Sequence, residues 1–269
     1  MNKFSFAFAI AAAGFVFVAT GCVSMNTQLP LSRLETPESN GSERPIRLAT
    51  GATAIYDLEV TNDASARPLT TNSPRLTENM TAMFLGQFGV IDNLDFGVRT
   101  TLGEVAPVML TGKFQMIGDS ASAAKQGNFS LALTGAVGYW QSKKSGEQKG
   151  RFGPGGFPWS GEVRVRNLDT ALIMGYRIRD NFLLYSGGFY TDYSIDLMID
   201  HAVSSDASSP AATYSLDYSG FQKGANLGVS LDFNAFVHMV LEVVYADVYF
   251  PNGLAHAARS AGANVAFQF

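Results

Sequence analysis

Three groups of side chains in this chain have the types that chemistry uses. His256 and Ser260 stand four apart near the C-terminus and Glu242 lies on the segment before them, the composition of a Ser-His-acid hydrolytic centre. Asp192, Asp196 and Asp217 fall near one end of two successive strand-like segments, with His201 in the interval that joins them. Carboxylates beside an imidazole in an outward cleft could activate water or hold a divalent cation; the alternative is a hydrated rim. Asp95, Arg99, Lys113, Arg177, Asp232 and Glu242 form the third group, charges of both signs on segments otherwise apolar or small. His201, His238 and His256 have no metal-ligand spacing among them and no cysteine beside them, so no zinc site and no cofactor is expected. Gly153-Pro154-Gly155-Gly156-Phe157-Pro158-Trp159 has the glycines of a phosphate loop without the Lys or the strand-to-helix context. It reads as an exposed loop with aromatic tips, and Arg151, Arg164 and Arg166 beside it could meet lipid phosphates.

What these groups can do depends on the elements that carry them. The sequence divides into ten segments of strand composition: 46–60, 79–90, 94–104, 106–117, 127–142, 162–178, 182–200, 212–233, 236–250 and 254–269. Ile91-Asp92-Asn93, Arg179-Asp180-Asn181 and Asp232-Phe233-Asn234-Ala235 are short turns on one side, joined there by the polar link Gly118 to Gln126. The longest intervals, 61–78, 143–161 and 201–211, fall on the other side, with Val105 and Pro251-Asn252-Gly253 as short exceptions. Short turns on one side and longer loops on the other are the asymmetry of a transmembrane barrel.

Alternation predicts the faces. In the ninth segment Val237, Met239, Leu241, Val243 and Tyr245 oppose His238, Glu242 and Ala246. In the eighth, Phe221, Ala225, Leu227, Val229, Leu231 and Phe233 oppose Gln222, Gly224, Asn226, Gly228, Ser230 and Asp232. In the seventh, Leu183, Tyr185, Phe189, Tyr193 and Ile195 oppose Ser186, Gly188, Asp192, Ser194 and Asp196. The greasy faces are expected to meet lipid and the polar faces the lumen. Aromatics gather at the segment ends, Phe88, Phe96, Phe182, Phe233, Phe236 and Phe267 on the turn side and Tyr139, Tyr193 and Tyr249 on the other, as in two interfacial girdles. If Phe250 pairs with Leu254, then Glu242 lies opposite Gly262 and His256 opposite Val248. His256 and Glu242 are then roughly 20 Å apart, far beyond the reach of a triad. The third group falls on the lumen face, where opposite charges in a narrow interior pair and fill it.

Composition agrees. With 20 Phe, 10 Tyr, 27 Gly and only 16% charged residues the chain suits one greasy and one polar surface, and a net charge of −4 leaves no footprint for nucleic acid. Lys3, the apolar run Phe4 to Val18 and Ala19-Thr20-Gly21 read as an export signal, too short for a membrane span. No later stretch is long and apolar enough to be a spanning helix. Residues 23 to about 44 are rich in Ser, Thr, Asn, Glu and Pro and show no apolar period, so a flexible leader is expected, with a short plug inside the barrel as the alternative.

Ala19-Thr20-Gly21-Cys22 resembles the lipobox of bacterial lipoproteins, with Ala19 where Leu is usual. The resemblance implies cleavage before Cys22 and acylation of its sulfur; the alternative is an ordinary cleavage site that leaves a free thiol. Val23, a residue other than Asp after the Cys, resembles the outer-membrane sorting signal of enterobacterial lipoproteins. The terminal run with Val265, Phe267 and Phe269 resembles the assembly signal of outer-membrane barrels and implies recognition by their assembly machinery. Small barrels that trim lipid A use a trio similar to His256, Ser260 and Glu242, but that trio faces the lumen rather than lipid. Omptin-type outer-membrane proteases are ten-stranded too, yet their motifs are absent and their activity is not carried over.

The expectation is therefore an all-β, transmembrane, antiparallel up-and-down β-barrel of about 10 strands in the outer membrane, with both termini on the periplasmic side. Residues 1–21 are expected to be a signal peptide, 22–45 a lipid-anchored leader whose lipid enters the inner leaflet, and 46–269 the barrel. The function expected is non-catalytic, in envelope structure or surface binding through loops, with lipid, lipopolysaccharide and the assembly machinery as partners. A narrow, porin-like passive channel and a surface hydrolase are the alternatives.

Overall fold

A computed structural model describes residues 22–63, 70–71, 75–102, 107–149, 156–202, 211–250 and 255–269. The expected signal peptide, Val105, Arg151 and Pro251-Asn252-Gly253 lie outside the described residues. The strands are β1 (Cys22–Pro30), β2 (Ile46–Asp63), β3 (Thr70–Thr71), β4 (Arg75–Ile91), β5 (Leu94–Thr101), β6 (Val108–Ile117), β7 (Phe129–Lys149), β8 (Gly156–Arg179), β9 (Phe182–Ala202), β10 (Ala211–Asp232), β11 (Val237–Tyr249) and β12 (Ala255–Gln268). Ten of them, all but β1 and β3, form an antiparallel ring in chain order, which closes where β12 pairs with β2. No helix among the described residues is long and apolar enough to cross a membrane.

Closure is local. The β12–β2 ladder runs from Ala263–Ala52 to Gln268–Arg47 and is sealed at its end by reciprocal backbone bonds between Ile46 and Phe269, at 3.1 and 2.8 Å. Gly51 sits in this ladder, and a Cβ there would run into the Ala263 carbonyl oxygen, so the two strands approach through the missing side chain. Above it the same edge of β2 is taken by β1, paired from Pro30–Ile55 to Cys22–Asp63. The turns after β4 and β8, the 118–128 link and the 233–236 turn share one end, the turn end. Register shifts at Gly89/Ile91, Gln115/Ile117 and Arg177/Arg179 bend β4, β6 and β8 just before the chain reverses there. Gly118 and Gly127 supply the positive φ of the link, +95° and +90°.

At the opposite, loop end, much of the chain expected as loop is strand. β7 reaches Lys149, β8 starts at Gly156, and β9 and β10 extend to Ala202 and from Ala211. Along these strands the outward face changes character. On β10 it is apolar from Leu231 to Ala225, Lys223 and Phe221 stand at its upper limit, and Ser219, Asp217 and Ser215 follow. On β8 the apolar run Ile178 to Leu168 gives way to Arg166, Arg164 and Glu162. Phe221 to Leu231 is about 33 Å of strand, or about 25 Å of height at a tilt near 40°, the thickness of a lipid-facing band. Beyond the band the strands stand up as a projection whose polar side is outward.

Polarity inverts inside the projection. Val163, Val165, Tyr193, Ile195, Leu197 and Ile199 are buried and face inward against Met25 and Leu29 of β1. This corrects the expected faces of β9. Leu183, Tyr185, Phe189, Tyr193 and Ile195 point into the barrel, while Asp192 and Asp196 point out. Alternation alone leaves the sign of a two-faced strand open, and here an internal segment offers the greasy face something to pack on. Tyr193 is thus no girdle residue, unlike Tyr139, which is 54% exposed. The faces expected for β10 and β11 are the observed ones, with Leu227 and Val243 outward and Gln222 and Glu242 buried.

Gly51→Val is expected to weaken closure by about 1–3 kcal/mol, because the ladder backbone cannot retreat from the added atoms. Heat-modifiable gel mobility should show a lower midpoint for this variant and an unchanged one for Ala257→Val, whose side chain is exposed.

Candidate functional site in the barrel lumen

The stretch expected to be a flexible leader, with a short plug as the alternative, lies inside the barrel as that plug. After Pro30 the chain leaves the β2 edge and runs down the lumen, and every residue from Leu29 to Asn40 is buried. It emerges at the turn end, where the Arg44 guanidinium donates to the Ala235 carbonyl at 2.9 Å, and Gly89 N–H donates to the Pro45 carbonyl at 2.7 Å. The polar, aperiodic composition that reads as a flexible leader suits this path equally well, because its partners are the charged side chains of the lumen.

Those partners include the predicted lumen charges. Asp95, Arg99, Lys113, Arg177, Asp232 and Glu242 all face the interior, five of them buried and Asp232 half-buried. They sort into levels along the segment. At the turn end Arg177 pairs with Glu38 of the segment at 2.6 Å and with Asp232 at 2.7 Å, and Asp232 also contacts His238 Nδ1 at 2.7 Å. Beside them Lys113 pairs with Asp95 at 3.0 Å and donates to the Glu38 carbonyl at 2.6 Å, while Asp95 accepts the Asn40 N–H at 3.1 Å. Below the rim, Ser42 donates its hydroxyl and N–H to Asp92 at 2.6 and 3.0 Å, which holds that carboxyl below the usual carboxylate range.

At mid-height one carboxylate joins segment to wall. Asp169 of β8 takes a two-pronged bond from Arg33 of the segment, through Nη2 and through Nε at 3.0 Å, and a further bond from Arg99 of β5 at 3.0 Å. Thr191 donates to the same carboxylate at 2.7 Å, and Glu35 faces Arg99 at 3.5 Å. Arg33 also lies over the Phe189 ring, 3.7 Å from its centroid.

Glu242 makes a second junction of another kind. Leu34 has φ +54°, rare for a branched apolar residue, and this turn brings the successive N–H groups of Arg33 and Leu34 onto one Glu242 oxygen at 3.0 and 3.3 Å. Asn226 and Tyr185 donate to the other oxygen at 2.7 and 3.2 Å. The carboxylate is fully committed to four donors.

Asp169, Arg33, Glu35 and Glu38 are site residues beyond those expected from the sequence, whereas His238 lies on the lumen face that alternation assigns to it. Asp169 was legible by parity, since it lies an even number of residues from Arg177 on one strand. Arg33, Glu35 and Glu38 carry no such signal, because 22–45 has no apolar period from which a facing can be read. The two cavities along this segment, lined by residues such as Arg99, Met109, Asn167 and Thr191, have no space for a water-sized sphere. The lumen is filled at that height.

The other candidate groups are not brought together. Glu242 pairs with Gly262 and Val248 with His256, as the register argument requires. His256 is half exposed and contacts Glu78 at 3.5 Å and the Tyr56 ring edge-on at 5.4 Å, while Glu242 is buried under the segment. Asp192, Asp196 and Asp217 do not face the lumen. They lie on the outer face of the projection, Asp196 bonded to Arg166 at 3.1 Å and set opposite Asp217 in the ladder. The phase of β9 fixes this, because Tyr193, Ile195 and Leu197 occupy the inward positions. The backbone of residue 201 pairs with those of Ala212 and Trp159 further towards the loop end. Arg164 contacts Glu162. Val265, Phe267 and Phe269 face outward at the turn end and are exposed. Among the described residues no three His, Cys, Asp or Glu side chains converge as a metal site.

No protein-family model and no curated protein sequence matches the chain. Among solved structures, the outer membrane protease OmpT from Escherichia coli resembles it at 11% identity and a TM-score of 0.33, over 92% of this chain and 93% of that one. The outer membrane channel DcaP of Acinetobacter baumannii does so at 8% identity and a TM-score of 0.23, over 91% and 97%. Likeness at this level says nothing of activity.

Asp169→Asn leaves two buried guanidinium groups facing each other and should cost about 3–5 kcal/mol, read as a lower denaturant midpoint in micelles. Replacing Arg33, Arg99 and Asp169 by Met together with Glu35 by Gln should cost less than that single change, because none of these buried charges is then left without its partner. A quadruple variant weaker than D169N would show that Asp169 is not what holds the segment to the wall.

Proposed function

We propose that the chain is a non-catalytic outer-membrane barrel, closed by its own N-terminal segment, that serves the envelope through the projection at its loop end. The observation that supports this is the buried run Leu29 to Asn40, which occupies the lumen that a channel would need open. A ten-stranded ring is near the size at which side chains alone fill a barrel, so one extra strand of chain is enough to block it. An apolar band of about 25 Å with exposed Phe88, Phe96, Phe233, Phe236 and Phe267 near the turn end and Tyr139, Tyr190, Tyr245 and Tyr249 near its other limit supports a bilayer around the ring. The short turns then face the periplasm, and Val265, Phe267 and Phe269 are presented there to the assembly machinery.

On this orientation the two described termini lie at opposite ends. Phe269 is at the turn end beside Ile46, whereas Cys22 is paired with Asp63 at the loop end. A lipid on Cys22 would accordingly sit on the outer side and not in the inner leaflet, the reverse of the expectation from strand parity. An even number of strands from residue 46 returns the chain to the end where it started, but the stretch before residue 46 crosses the lumen and so puts Cys22 at the other end.

A second reading is a gated passive channel. It is favoured by the polar fastening of the segment, whose ion pairs and hydrogen bonds can exchange with water more readily than an apolar contact can.

In planar bilayers the intact protein is expected to pass no current above background, and a variant with Glu38, Asp169 and Glu242 changed to Ala is expected to conduct intermittently. Steady conductance by the intact protein would select the channel reading. A short epitope placed after Ser24 should bind antibody on intact cells; binding only after permeabilisation would reverse the assigned orientation.

A further inference from the structure

Taking the loop end as the outer side, we propose that the outward face of β10, β11, β12 and β2 holds one molecule of a phosphorylated glycolipid of the outer leaflet, with its phosphates on Lys223 and Arg259 and an acyl chain in the groove beneath them.

The charge pattern comes first. Below Lys223 the outward residues of β10 are Ala225, Leu227, Val229 and Leu231, and below Tyr245 those of β11 are Val243, Leu241, Met239 and Val237. On β12 the residues below Arg259 are Ala261, Ala263, Val265 and Phe267. Lys223 and Arg259 are therefore the first cations met on climbing the apolar band. The register sets Tyr190 opposite Lys223, Ala225 opposite Tyr245 and Tyr245 opposite Arg259, so Arg259 stands two strands away and one outward-facing row deeper. From strand spacing and rise, the two backbones are about 12 Å apart. Both side chains are exposed, and among the described residues neither forms an ion pair. Asp247 lies opposite Lys223 and Asp192 opposite Phe221 without pairing to either cation. A cation left unpaired on the lipid face is costly at depth and nearly neutral near the interface. An anion of the surrounding lipid is the partner available to Arg259.

The platform around these cations is built. Tyr190, Phe221 and Tyr249 form a stack across three strands, with centroids 5.7 and 4.9 Å apart, and Lys223 Nζ lies 5.4 Å from the centre of the Tyr249 ring. This fixes the Lys223 stem on an aromatic floor at the upper limit of the band. Directly below, a groove of about 480 Å³ is lined by Ala52, Leu227, Leu241, Val243, Ala261 and Ala263. The walls are bulky, the floor is small, and the side chains at its mouth towards the cations are Tyr245 and Arg259. Phosphates above an acyl-sized apolar groove are the headgroup and tail of one amphiphile, which is why the occupant is a phosphorylated lipid and not a free phosphate or a second copy of this chain.

The test uses the full mature chain in micelles, titrated with purified lipid A, with its dephosphorylated form and with phosphatidylcholine, and reads the midpoint of heat-induced loss of the compact gel form. Lipid A should raise the midpoint of the unaltered protein, and the two phosphate-free or zwitterionic probes should not. The double variant Lys223→Gln, Arg259→Gln should bind lipid A at least tenfold more weakly, Ala261→Phe should lose the effect by filling the groove, and Asp247→Asn should bind more tightly. Equal stabilisation by phosphorylated and dephosphorylated lipid, or an unchanged response of the double variant, would overturn the site. Failure of the protein to enter micelles in a heat-modifiable form would instead refute the membrane barrel on which the site rests.

Discussion

Asp169 is the point on which the interior depends. It stands on β8, faces one guanidinium from β5, three strands away in the ring, and one from the segment that crosses the lumen, and has almost no contact with solvent. Each of the three charges is tolerable only because the others are there, since a lone buried ion costs several kcal/mol. The wall therefore needs the segment as much as the segment needs the wall. The same reciprocity recurs at Glu38 between Arg177 and the Asn128 amide, and at Glu242 beneath the Arg33 and Leu34 amides.

This dependence organises the rest of the molecule. Because the segment enters along the upper edge of β2, the β12–β2 ladder is confined to the lower half, and closure rests on a few pairs around Gly51. Because β1 occupies the upper interior, the strands of the projection can turn Val165, Ile195 and Leu197 inward and still bury them. Trp140 shows the fit: its indole N–H, in a mostly apolar surround, finds Thr27 of β1 at 2.8 Å. The lower interior is an ionic junction and the upper interior a small apolar core, both made by one stretch of chain.

The outside follows from the inside. A strand whose greasy residues are needed within must place its polar residues without, so the projection is wet on its surface and has Asp192, Asp196 and Arg166 there. Lower down, where the interior is polar, the outward face is free to be apolar. The boundary between the two regimes is the row of Tyr190, Phe221 and Tyr249, where an amphiphile also changes from tail to headgroup.

Much of this was legible in the sequence. Strand-period alternation, Asp and Asn at the reversals and the spacing of the segments determine a ten-stranded antiparallel ring, and the parity of Arg177, Asp232 and Glu242 on clearly two-faced strands determines which charges enter it. These are local properties, fixed by a side-chain period of two and by turn chemistry. Two things were decided only by the tertiary structure. The polar stretch 31–45 has no periodicity to betray a buried path, because its burial is satisfied by carboxylates and guanidinium groups from 55 to 209 residues away. The inward sense of Leu183, Tyr193 and Ile195 is equally invisible along the strand, because a period of two is symmetric under exchange of its faces, and only the presence of β1 within the ring breaks that symmetry.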